Sequence, residues 1–463
     1  MKNLSEGNIY KNFILFALPL IGAGLFSQFY SVFDTIIAGK FLGEEGLGAI
    51  GATADFLVFI RSPFWGYAGG FAVYIATLFG ARDYQKMKKV LEMNVLIMAA
   101  AALLIGVFCV IFIDPIFDLL NVDPTIEGEA KIYFTICVLG HFFVVMPHCL
   151  MCMMSALGVT GFPFLMSLLA GALNILGNLV SVVIFDFGVT GIAWATVLAG
   201  ACVVICYLFK FRVCLKELSI PKEKFSFDSF LLHHSFRYAL PNTLQQMAMY
   251  FAGMAISPVV NGFGASATAG YSVTQRIFDI TASIYQNSAR SLLNYGAQCV
   301  GGGKISLLKR GWRAGLLQAS VLVTPVLLSF ILFARPICAV FFPTGFHGVA
   351  LDYAIFFCRA CVPFVYMNLL DNLYHARFRG IGAMNVNLTT TIFASVVRVL
   401  CGALLAIPYG MKGVYFGMAI SWGAEFLLCF IIDRVRFNTD EKIIRFLVRK
   451  GTLSESVLQK SSK

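Results

Sequence analysis

The sequence predicts an all-α integral membrane protein, with twelve transmembrane helices in two six-helix lobes related by pseudo-two-fold symmetry. Three observations carry that expectation. Of 463 residues, 59% are hydrophobic and 13% charged, with a mean hydropathy of +0.81, whereas soluble domains carry about 25% charged residues. Twelve apolar runs are each of the length that crosses a bilayer core, about 20 residues. The last six runs repeat the first six.

The runs fall, in chain order, at 13–38, 49–79, 90–113, 132–155, 163–185, 189–209, 236–260, 269–298, 315–333, 353–378, 386–407 and 414–432. The second and eighth are long enough to extend beyond the hydrocarbon. Basic residues collect in alternate connections. Arg82, Lys86, Lys88 and Lys89 follow run two; Lys210, Arg212, Lys216, Lys222, Lys224 and Arg237 follow run six. Lys304, Lys309, Arg310 and Arg313 follow run eight, and Arg434, Arg436 and Lys442 follow run twelve. The opposite connections hold Glu44, Glu45 and the acidic stretch DPIFDLLNVDPTIEGE. Positively charged loops stay on the cytoplasmic side, which places both termini in the cytoplasm of a cell-membrane protein. An even number of runs agrees. The net charge of +11 is thus explained by membrane orientation, and no nucleic-acid partner is expected.

The repeat has a constant displacement. Leu18-Pro19 recurs as Leu240-Pro241 (241 − 19 = 222), and Gly80-Ala81-Arg82 meets Gly302-Gly303-Lys304. Gly158 meets Gly380, and GVTGIAWAT from Gly188 meets GMKGVYFGM from Gly410. One slip of a residue aligns Gly43 with Gly264. Six spans per copy give both copies the same orientation, a parallel duplication found in transporters and also in channels and some membrane enzymes. The division expected is an N-terminal lobe at 1–214, a cytoplasmic linker at 215–235, a C-terminal lobe at 236–433 and a tail at 434–463.

Run one breaks two rules of a membrane helix. Pro19 removes a backbone donor and clashes with the preceding turn, predicting a hinge. Asp34 places a carboxyl in the apolar run, where a charge costs about 2.5–3.5 kcal/mol on insertion scales. A proton-driven conformational machine would need both; a gratuitous kink and a carboxyl paired with a neighbouring helix is the plainer reading. Asn174 and Asn178, one turn apart on run five, and Thr196 on run six would line a hydrogen-bonded pocket with Asp34, or simply bond across a helix interface. In the second half Asp371, His375 and Arg379 form an i, i+4, i+8 stripe about 12 Å long. That stripe reads either as a cation or proton site or as a polar seam joining helices. Ionisable groups within spans read as functional by default, but Arg398 and Glu425, mid-way along adjacent runs, could instead pair, and Arg276 and Asp279, three apart on one helix, could simply neutralise each other. Arg61, Arg290 and Arg359 also lie within runs.

The 13 cysteines are scattered, mostly in apolar runs, and even Cys149 and Cys152 read as packing residues, with no metal site expected. There is no GxSxG, HExxH or P-loop, so neither an enzyme nor an ATP-driven pump is predicted, and no cofactor beyond a coupling ion, H+ or Na+. No cleaved signal peptide is expected at the polar start. The tail DEKIIRFLVRKGTL predicts a basic amphipathic helix, with Ile443, Ile444, Leu447 and Val448 on one side, docked on protein or headgroups.

Taken in order, several strings resemble the multidrug and toxic compound extrusion (MATE) family. They are the LP kink with Asp34, KFLGEEGLGAIG, GARDYQK, LGVTGFP, NILGN with GVTGIAWAT, and NLYHARFRGIGAM. The resemblance covers residues 10–433. It implies two six-helix lobes about a V-shaped cavity and export of small organic, often cationic solutes in exchange for protons or sodium, by a monomer among membrane lipids. In the DinF-like branch the first-lobe site falls at Asp34, Asn174, Asn178 and Thr196, with Asn178 where that branch carries a second Asp; a single-proton site follows. In the NorM-like branch Asp371 matches an Asp on helix ten, while helix seven offers Gln245 and Gln246 in place of an acid. Two alternatives remain: a lipid-linked saccharide flippase, to which the interior arginines are suited, and a channel or membrane-embedded enzyme.

Overall fold

The computed structural model describes residues 3–120, 122–218, 220, 225–342, 345 and 347–452; the side chains of residues 31–36, 38, 44 and 47 are outside that description. Asp34 and Glu44 therefore enter as helix positions only, and Lys222 and Lys224 lie outside the described residues. Twelve long helical segments follow the predicted runs. They are α1 (Ile9–Phe41), α2 (Gly43–Gly80), α3 (Tyr84–Ile111) and α4, a pair Glu127–Leu139 and His141–Ala156 bent by 47°. Then come α5 (Gly161–Ile184), α6 (Gly188–Glu217), α7 (Ser229–Asn261), α8 (Ala265–Gly301), α9 (Ile305–Leu332), α10 (Val349–Gly380), α11 (Met384–Tyr409) and α12 (Met411–Phe437). Among the described residues eight of these are long and apolar enough to cross a membrane on composition alone, and the bent α4 makes nine. The other three, α2, α7 and α8, carry more polar residues, as helices do that face protein or water more than lipid. A short amphipathic α13 (Asp440–Arg449) follows.

The turns explain why the helices stop where they do. Asp83 caps α3 by accepting from the Lys86 amide at 3.2 Å, and Thr439 caps α13 by accepting from the Lys442 amide at 3.3 Å. Gly188 (φ 56°) and Gly410 (φ 58°) both sit in the left-handed region, as do Gly43 (φ 70°) and Gly264 (φ 87°). Side chains disfavour that conformation, so the paired glycines are the residues each copy needs to start its second and sixth helices. The sequence repeat is a repeat of backbone conformation.

Contacts within the chain group it into two compact units. The first holds Gly22–Phe79 and Asp83–Thr243; the second holds Asn3–Ile21, Gly80–Arg82 and Leu244–Lys463. The boundaries fall inside α1 and α7, not at residues 214 and 236, and they are themselves 222 residues apart, at Gly22 and Leu244. Each lies just beyond Pro19 or Pro241.

Packing inside each unit gives the physical reason. In the first, the opening half of α7 lies on α2 and α3. Tyr238 stacks on Tyr74 at 5.3 Å, Asn242 donates to the Gly66 carbonyl, and Ser235 Oγ donates to Asn94 Oδ1 at 2.9 Å. Gly70 lets the Ala239 backbone approach, since a methyl there would overlap the Tyr238 carbonyl. In the second unit the opening half of α1 lies on α8 and α9. Phe13, fully buried, meets Tyr295 edge-on at 5.2 Å; the Leu4 amide donates to Gln298 Oε1 at 2.7 Å; Gln318 Nε2 donates to the Phe13 carbonyl at 3.2 Å.

α13 docks on protein. Ile443, Ile444 and Leu447 are buried against Phe378, Phe437 and Val300 in one apolar cluster, while Arg445 stays outside. Around it Arg377 pairs with Asp433 at 3.0 Å and donates to the Phe437 carbonyl at 2.8 Å, closing α10 onto the end of α12. Leu447→Ala should therefore lower stability by about 3 kcal/mol, the cost of emptying a packed leucine site, read as a lower unfolding midpoint in detergent. An unchanged midpoint would mean that the helix is only resting there.

Candidate functional site

Two polar clusters are embedded in apolar helices. In the first unit, Asn174 (4% exposed) and Asn178 (0%) lie one turn apart on α5. Asn178 Nδ2 donates to Asn174 Oδ1 at 3.1 Å, and Asn174 Nδ2 donates to Thr196 Oγ1 of α6 at 3.0 Å. Thr196 Oγ1 donates in turn to the Ile192 carbonyl at 3.1 Å, so the chain of bonds ends on backbone. Small residues set this register. Gly177 faces Ala195 so closely that a methyl on it would stand 2.9 Å from the Ala195 Cβ, which brings Thr196 beside Asn174. α1 crosses the same helix: Gly22 faces Phe164, and Phe26 and Tyr30 both face Gly171. Positions 22, 26 and 30 form one row along α1, and 34 is the next position in it. The side chain of Asp34 itself is outside the described residues.

In the second unit the sequence-predicted residues separate into four groups. Asp371 (1% exposed) accepts from Asn372 Nδ2 at 2.9 Å and Asn368 Nδ2 at 3.1 Å, and Asn368 Oδ1 accepts from the Tyr285 hydroxyl of α8. His375 does not continue the stripe toward Arg379. Its Nε2 lies 3.1 Å from Thr390 Oγ1 of α11 and 3.3 Å from Glu425 Oε1 of α12. Gln245 of α7 joins neither group; it donates to Thr391 at 3.0 Å and accepts from Asn387 Nδ2 at 2.6 Å. Arg398 is elsewhere again, 3.4 Å from the Tyr271 hydroxyl, so the candidate Arg398–Glu425 pair is replaced by His375–Glu425.

Exposure sorts the remaining ionisable groups. Asp55, Arg276, Asp279 and Arg359 are exposed on their helices, and Arg61, Arg290 and Arg398 are half-buried. Asp371, His375 and Glu425 are buried, as are His141 of α4 and Asp433 near the end of α12. Sequence reasoning missed Glu425 as the partner of His375, although its place in the middle of an apolar run was the available signal.

The MatE family model matches the chain twice, over residues 19–180 and 241–404. The two matches open on Pro19 and Pro241, at the 222-residue displacement. The chain belongs to the MATE family. A probable multidrug resistance protein of Bacillus subtilis, YpnP, is 22% identical over 91% of this chain and 94% of its own length. The multidrug export protein MepA of Staphylococcus aureus is 20% identical over 94% and 97%. Among solved structures, the outward-facing conformation of a multidrug resistance MATE transporter of the MOP superfamily superposes with a TM-score of 0.88. That superposition covers 96% of this chain and 99% of the other at 22% identity, a likeness of fold. This MATE protein is accordingly a multi-span membrane transporter and not an enzyme.

Proposed function

We propose that this transporter exports organic, amphipathic and often cationic solutes across the cell membrane in exchange for protons, with Asp34 as the coupling residue. The observation that carries this reading is the bonded chain Asn178–Asn174–Thr196, together with position 34 as the next step of the row that α1 presents to α5. Two amides and a hydroxyl can meet a carboxyl in either protonation state, because each both donates and accepts. The pattern is that of the DinF-like branch with one carboxyl, which favours a proton over a sodium ion, since sodium would want a second anionic ligand. Protonation neutralises Asp34, α1 bends at Pro19, and the solute is released. Both termini lie in the cytoplasm on this reading, and the protein works as a monomer. The names of its relatives in Bacillus subtilis and Staphylococcus aureus support drug-like substrates.

Reconstituted protein tested with a panel of cationic, neutral and anionic dyes, under a pH gradient and a sodium gradient imposed separately, decides the matter. Cationic dyes are expected to move under the pH gradient alone. Movement under sodium alone, or of no dye under either gradient, would overturn the reading.

A further inference from the structure

We propose that His375 and Glu425 form a second proton site, in the Leu244–Lys463 unit, that binds and releases one proton as a pair. The inference rests on the proton-coupled reading above only for its use in transport; the chemistry of the pair stands on its own geometry.

Thr390 fixes where the first hydrogen lies. Its single hydroxyl hydrogen is directed at backbone, since Oγ1 donates to the Val386 carbonyl at 3.2 Å and the Asn387 carbonyl at 3.0 Å. Its oxygen is therefore left to accept, and the donor is His375 Nε2 at 3.1 Å. The same Nε2 faces Glu425 Oε1 at 3.3 Å. Two lone pairs would repel at that distance, so a hydrogen lies between them, and the imidazole carries it on Nε2. Neutral His375 with ionised Glu425 has a net charge of −1. One further proton, on either partner, brings the pair to zero.

The surroundings make that step consequential. His375 is 9% and Glu425 7% exposed, and among the described residues no Lys or Arg nitrogen lies within ion-pair reach of Glu425 or Asp371. An uncompensated buried carboxylate is costly. The titratable groups around the pair are Asp371, one turn back on α10; Tyr285 of α8, bonded through Asn368; and Cys429 of α12. Arg377 is committed to Asp433 at 3.0 Å. Because the pair ties α10 to α12, gaining or losing its proton changes the bond that holds those two helices together.

Proton uptake by the purified full-length protein, titrated from alkaline to acidic pH without substrate or gradient, tests this. His375→Gln and Glu425→Gln each leave one group that can still take up a proton, so each should move the uptake to a different pH from wild type, because the remaining partner titrates alone. Only the double variant, with neither group, should take up one proton fewer per molecule than wild type. A double variant that takes up as many protons as wild type, or single variants whose uptake curves superimpose on that of wild type, would overturn the proposal. Asp34→Asn on the same footing should lose its own proton additively. Since nothing is transported in this titration, an absence of gradient-driven export would sink the preceding reading while leaving this result to stand or fall separately.

Discussion

Asp34→Asn is expected to abolish gradient-driven export while the protein reaches the membrane in normal amount. The substitution keeps the size of the side chain and its capacity to accept a hydrogen bond, but removes the carboxyl that the proposed mechanism protonates. A charge inside an apolar span costs several kcal/mol, so the variant should be at least as easy to insert as wild type. The effect is therefore on coupling and not on folding. Transport by proteoliposomes under a pH gradient should fall to the level of empty vesicles. Undiminished export would remove Asp34 from the mechanism.

Gly417→Val should destabilise the fold by forcing two helix backbones apart. α11 and α12 come together backbone to backbone: a Cβ on Gly417 would meet the Gly402 amide nitrogen and lie 2.9 Å from the Cys401 carbonyl carbon, while Gly413 faces the Leu405 carbonyl just as closely. No side-chain rotation relieves a clash with backbone, so the helices must part, and a loss of about 3 kcal/mol is expected, at the upper end of overpacking. α11 and α12 carry Thr390 and Glu425, the two partners of His375. Thermal unfolding should show the loss, and an unperturbed midpoint would mean that the two backbones are not in contact.

The sequence displayed its architecture because both signals are periodic. Hydropathy marks each span, and the duplication marks the turns, which is why Gly188 and Gly410 could be paired before their backbone angles were known. Contacts between helices carry no such period. His375 and Glu425 are fifty positions apart, on α10 and α12, and opposite charge alone made Arg398 the natural partner for Glu425. Tyr271 holds Arg398 instead. The glycines at 402, 413 and 417 were the missing clue, since they fix how α11 slides along α12 and hence which side chains meet. The first-unit cluster was easier to find, because Asn174 and Asn178 share a helix and the short connection to α6 brings Thr196 alongside. The halves were harder to delimit. Nothing in the composition of α1 or α7 announces that each would bury its opening turns among residues of the other copy.

That exchange has a consequence for how the chain is made. A six-helix copy released early in synthesis lacks the surface that its own first half-helix requires. Leu4 bonds to Gln298, 294 positions later, so the first segment to leave the ribosome waits through nine helices' worth of translation for α8 and α9. Membrane proteins built domain by domain complete one unit before starting the next. Here the first unit is complete only once Thr243, inside α7, has been made, and the second takes in residues from the very start of the chain.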